Sequence, residues 1–94
     1  MNYVVVTTDK DRQGVFGGYL KDGSAETGTV TLSDARMAVY WSQETRGVLG
    51  LASIGPQPGS RITPPVPLIE LNGVTSVIEC TQEATAQWEL GLWD

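Results

Sequence analysis

The residues best equipped for chemistry lie together in one segment, Asp34-Ala35-Arg36-Met37-Ala38-Val39-Tyr40-Trp41-Ser42-Gln43-Glu44-Thr45-Arg46. Arginine presents a planar fork of N–H donors that matches a carboxylate or a phosphate, and aromatic rings offer stacking area. Arg36, Tyr40, Trp41 and Arg46 are therefore the candidate binding residues, and a small anionic ligand is a partner they suit. Read as a strand, residues 36–41 put Met37, Val39 and Trp41 on one face and Arg36, Ala38 and Tyr40 on the other. Tyr40 and Trp41 then point opposite ways, so one ring enters the core and the other faces outward. The plainer alternative is an ordinary strand whose tyrosine covers the edge of the core. The site is then to be sought on the loop over residues 56–67.

Other chemistry is excluded by what the chain lacks. It has no histidine, which removes the usual general base near neutral pH and with it Ser-His and Cys-His nucleophile pairs. Its single cysteine, Cys80, can form neither an internal disulfide nor, without histidine, a structural zinc site. Cys80 ends an apolar run, where a buried structural thiol is expected. Gly14-Val15-Phe16-Gly17-Gly18 does not match a dinucleotide fingerprint. Asp9 and Asp11 could hold a hard cation together, but the remaining ligands of a calcium loop are missing, and a solvated turn is expected. No catalytic residue, metal or cofactor is assigned, and the protein is not expected to be an enzyme. The enzymatic alternative is a histidine-free, metal-assisted hydrolase built on carboxylates.

A net charge of −5 and scattered basic residues argue against general nucleic-acid binding. Apolar residues make up 40% and charged residues 18%, which suits a folded domain rather than a disordered chain. Ninety-four residues make a single domain, 1–94. No stretch reaches the roughly 18 apolar residues needed to cross a membrane. Met1-Asn2-Tyr3-Val4-Val5-Val6 has no basic segment ahead of its apolar one, so no signal peptide is expected. A lone cysteine fits a reducing cytosol.

The elements that must position the candidate residues follow from pattern. Residues 3–8 are β-branched and aromatic and read as a strand, and residues 15–21 as a second. Gly17-Gly18 marks a bulge or a close backbone approach. Residues 29–32 read as a third strand, Ser33-Asp34 as a corner and residues 36–41 as a fourth strand. Residues 45–54 shift to helical spacing, with Thr45 as cap and Gly55-Pro56 as stop. Residues 56–67 form a stiff loop, whose Pro64-Pro65-Val66-Pro67 reads as the lead into a strand rather than a polyproline ligand. Asn72-Gly73 between two apolar runs is the sequence of a type I′ hairpin. Residues 81–90 suit a helix capped by Thr81, with Trp88, Leu92 and Trp93 folding back onto the sheet. The expected fold is α+β, mainly β: a small curled antiparallel sheet or partial barrel of five or six strands with one or two short helices.

Thr31-Leu32-Ser33-Asp34-Ala35-Arg36, then Tyr40-Trp41, Leu49-Gly50-Leu51-Ala52-Ser53-Ile54-Gly55, Pro65-Val66-Pro67 and Val77-Ile78-Glu79-Cys80-Thr81 follow in an order that resembles a family of small uncharacterised proteins of tailed bacteriophages and prophages. The likeness runs from about Gly14 onward. Members often carry a further aromatic just before the Tyr-Trp pair, where this chain has Met37-Ala38-Val39. The resemblance implies a phage accessory gene product, and the reducing cytosol that a lone cysteine fits makes the host cytoplasm the expected location. With no catalytic set, the expected function is non-enzymatic: binding a host protein, as a host-defence antagonist does, or sequestering a small host-derived ligand. A small head or tail component of the virion is the structural alternative. Three tryptophans, three tyrosines and an apolar Gly91-Leu92-Trp93 exceed what so small a core needs, so a homodimer or higher homo-oligomer is expected.

Overall fold

The computed structural model describes residues 2–9 and 14–91. In chain order they form β1 (Tyr3–Thr8), β2 (Gly14–Ser24), β3 (Thr29–Tyr40), a 3-10 turn (Gln43–Thr45), α1 (Gly47–Ser53), β4 (Arg61–Ile62), β5 (Val66–Asn72), β6 (Val74–Glu79) and α2 (Gln82–Leu90). The class is the expected one, mainly β with two short helices. All strand pairs are antiparallel. β2 and β3 form a long hairpin, β1 adds beside β2, and β6 adds beside β1. The outer edge of β3 is shared, by β5 along Thr29–Ala35 and by β4 along Ala38–Tyr40.

The sheet curls because β5 and β6 sit at its opposite ends yet are joined through Gly73 alone. The Asp9 amide donates to the Gly73 carbonyl at 3.0 Å, and the Val74 amide donates to the Gly28 carbonyl at 3.0 Å, which draws the two ends together. This corrects the hairpin expected at Asn72-Gly73. Gly73 does adopt the positive φ (68°) that the dipeptide signals. The strands on either side nevertheless pair with β3 and β1, not with each other. Leu71 and Val74 both enter the inner core from there.

A second correction concerns Ser33-Asp34, which is no corner. β3 runs straight through it with a bulge: Gly17 faces Arg36 while Tyr19 faces Ser33, so two residues stand opposite Gly18. Asp34 takes a positive φ of 49°, which aspartate tolerates better than most side chains. The extra residue changes the parity of the strand. Val30 and Leu32 point inward before it, and Ala35 and Met37 point inward after it. Arg36 and Ala38 are thereby turned to the opposite face.

Both faces of the sheet are covered, which is why Val4-Val5-Val6 is apolar without alternation. Val4 and Val6 join Phe16, Leu32, Leu71 and Val74 inside the curl. Tyr3 and Val5 join Ala38, Leu51, Ala52, Ile62 and Trp88 under the helices. α1 is shorter than residues 45–54, and Thr45 does not cap it. Thr45 ends the 3-10 turn fully buried, its Oγ1 accepting from the Gln57 amide at 3.0 Å, and Arg46 opens α1 with a φ of 68°. Gly50 lies so close under the Thr45 carbonyl that any side chain there would collide with it, which makes the tight approach dependent on glycine. α2 begins as expected, the Thr81 hydroxyl accepting from the Ala84 amide at 3.0 Å. The fold-back of Leu92 and Trp93, and Asp11 of the acidic turn, lie outside the described residues.

Candidate functional site

The site is built where the end of α2 meets the β2–β3 ladder. Gly17 faces Arg36 across that ladder on the helix-covered face. With no side chain at Gly17, the Trp88 ring rests on its backbone; a Cβ there would lie 2.7 Å from the indole Cε3. Trp88 is fully buried and its Nε1 donates to the Leu51 carbonyl at 3.0 Å, which pins α2 to α1. α2 is thereby held in register over β3, and its last residues, Leu90 and Gly91, arrive above Arg36. Gly91 closes the helix with a φ of 67° and donates to the Trp88 carbonyl at 3.1 Å. A Cβ on Gly91 would lie 2.6 Å from Arg36 Nη1, which places the guanidinium directly against the helix end.

Arg36 is fixed from its other side by the chain after β4. Its Nη1 donates to the Thr63 carbonyl at 3.2 Å. Thr63 is itself tied to β3: the Met37 amide donates to Thr63 Oγ1 at 2.9 Å, and the Thr63 amide donates to the Met37 carbonyl at 3.0 Å. α2 has no basic residue in its last turn. Arg36 supplies from β3 the cation that the carbonyl end of a helix favours. Among the described residues no carboxylate pairs with Arg36. Around it opens a recess of about 480 Å³ whose other walls are Ile62, Thr63, Pro64, Pro65, Leu90 and Gly91. Apart from Arg36 and Thr63 those walls are apolar, so among the described residues the guanidinium is the one charged group lining the recess.

Two further recesses differ in character. One, of about 380 Å³, lies between Asn2, Tyr19, Glu79, Cys80, Gln82 and Glu89 and carries carboxylates. Burial, then the charge of Glu79, pushes the Cys80 thiol up to about 12, so at neutral pH it is a protonated thiol and not a nucleophile. Burial and the neighbouring Glu89 carboxylate raise the Tyr19 phenol as well. The other, of about 400 Å³, runs between Thr7, Asp9, Val15, Met37 and Trp41. Under α2 the Tyr3 hydroxyl is buried without a hydrogen-bond partner among the described residues. Its pKa is raised by burial, against an opposing pull from Arg36.

The four residues singled out in the sequence do not share a recess. Arg36 anchors the apolar one. Trp41 lines the groove beside β1 and packs against the helix-side core. Tyr40 is 56% exposed, so of the two adjacent rings tryptophan goes in and tyrosine stays out. Trp41 joins the core on the side of Ala38, not of Met37, because it lies beyond the end of β3, where strand alternation no longer holds. Arg46 is exposed at the start of α1. Sequence reasoning named Ile62 and Thr63 only within the alternative loop over residues 56–67, without joining them to Arg36, and it missed Leu90 and Gly91. A glycine just after the α2 pattern was the available signal for the last of these. No group of three or more His, Cys, Asp or Glu residues able to hold a metal ion occurs among the described residues, and none of their helices is long and apolar enough to cross a membrane.

A family model described as a domain of unknown function, DUF6948, matches residues 1–88. No curated protein and no solved structure matches the chain.

Proposed function

We propose that this chain, which belongs to the DUF6948 family, is a non-enzymatic binding protein that engages its partner at the Arg36 recess. One observation carries the proposal. Among the described residues, a guanidinium with one donor engaged by the Thr63 carbonyl is held at the junction of β3, the segment after β4 and the end of α2, inside walls that apart from Thr63 are apolar. Concave apolar surfaces with a few fixed polar groups are the usual form of small-molecule sites. The resemblance to tailed-phage proteins supports an accessory role in the host cytoplasm, in which the protein captures a host-derived ligand or a host protein. Self-association belongs to the same proposal. Among the described residues β5 pairs only with β3, and Val66 and Leu68 on it are 44% and 57% exposed, a surface a second copy would cover.

The test is affinity capture from bacterial lysate with the full chain as bait, followed by mass spectrometry of both proteins and small molecules. A specific companion retained by the wild-type chain and lost with Arg36→Gln supports the role. Equal retention by both chains, or abundant peptides of this protein in purified virions, would count against it.

A further inference from the structure

We infer that the Arg36 recess binds a small carboxylic acid with an apolar body. This rests on the binding role proposed above and names its ligand class. The charge comes first. Arg36 spends one N–H on the Thr63 carbonyl and has no carboxylate partner among the described residues. A guanidinium so placed favours an anion that accepts two parallel hydrogen bonds, as a carboxylate does. The carbonyl end of α2 lies beside the same guanidinium, where Gly91 closes the helix. That end disfavours concentrated negative charge, so a single carboxylate suits the site better than a doubly charged phosphate.

The walls set the rest of the ligand. Ile62, Pro64, Pro65 and Leu90 offer apolar surface and little hydrogen bonding. Proline has no N–H, so Pro64 and Pro65 cannot donate to the backbone of an extended peptide laid along them. A volume of about 480 Å³ falls among those of small-molecule sites. Shape, apolarity and charge together favour a compact free acid over a protein terminus.

Titration of the full chain, labelled for backbone amide NMR, tests this with phenylacetate and its neutral isostere phenylacetamide. Saturable shifts are expected at Thr63, Leu90 and Gly91 with phenylacetate, with phenylacetamide weaker by at least about tenfold, a step of one decade in Kd. Arg36→Gln should weaken phenylacetate by a similar factor. Because that change also removes the Thr63 bond, Leu90→Asp provides a second variant. Leu90 is 66% exposed, so the fold tolerates the change; acid and amide both lose its apolar wall, but only phenylacetate meets the added negative charge and should weaken by the larger factor. Equal binding of acid and amide, shifts confined to another surface, or full binding by both variants would overturn the inference. A peptide ending in free phenylalanine that bound more than about tenfold tighter than phenylacetate would overturn the small-ligand assignment. Should acids fail while a neutral or cationic metabolite moved the same amides, the ligand class would be wrong and the binding role would stand.

Discussion

Gly17→Ala should destabilise the protein through one contact, the face of Trp88. The added methyl would sit 2.7 Å from Cε3 and 2.8 Å from Cδ2 and Cζ3. Carbon atoms rest at about 3.5–4.0 Å, so the ring must retreat by roughly 0.8–1.3 Å. It has little room, being fully buried and hydrogen-bonded through Nε1 to the Leu51 carbonyl. Overpacking of this kind costs about 1–3 kcal/mol, and straining the indole bond adds up to about 1 kcal/mol. Restricting the unfolded chain offsets about 0.4–1 kcal/mol. The net loss is about 1–3 kcal/mol, or a melting point lower by at least about 4 °C in a domain this small. Urea unfolding followed by both tryptophan fluorescence and far-UV circular dichroism measures it. Trp88→Phe is the partner mutation: the smaller ring leaves space, so Gly17→Ala should cost at least about 1 kcal/mol less in that background. Equal costs in the two backgrounds, or a single-mutant loss under about 0.5 kcal/mol, would refute the reasoning. The same packing places Leu90 and Gly91 over Arg36, so Gly17→Ala should also weaken binding at the recess.

Tyr3→Phe should leave stability unchanged or raise it by about 1–2 kcal/mol, because an unpartnered buried hydroxyl is a cost rather than a gain; a loss above about 1 kcal/mol in urea unfolding would mean that the hydroxyl has an acceptor in solution. Stability should fall in alkali. Cys80 is raised from its ordinary 9.0 to about 12, so its contribution is fully present below about pH 9 and is lost as pH rises toward 12. Cys80→Ala should flatten urea midpoints measured between pH 8 and pH 11, a range of about three units around that shift, and an unchanged slope would contradict it. If β5 is the self-association surface, Leu68→Lys should convert a dimer at tens of micromolar, on the order of micromolar affinity, into a monomer by light scattering; an unchanged mass would place the contact elsewhere.

What the sequence made legible was local. Thr81 announces the start of α2 because a cap needs only its own next turn. Gly17-Gly18 announces a close approach because only glycine leaves room for one, although the chain does not say that Trp88 fills it. Asn72-Gly73 shows where the limit falls. Its positive φ is a local property and is present, but which strands pair is decided by the curl of the whole sheet. Likewise Asp34 reads as a corner until the ladder opposite it is known, since a bulge is defined by two strands and not one. Arg36 was identifiable as a candidate from its chemistry alone. Its separation from Trp41 and Arg46 was not, because that depends on the parity change at Asp34, which turns Arg36 toward the helices, and on where β3 ends.

Backbone amide NMR of the full chain, titrated with the small-molecule fraction of bacterial lysate, asks directly whether Arg36 anchors a binding site. The expected result is a set of perturbed amides centred on Ile62, Thr63, Leu90 and Gly91 that disappears in Arg36→Gln. The contrary result is perturbation centred on Trp41 and Arg46, or on Glu79 and Glu89, that survives the change at Arg36.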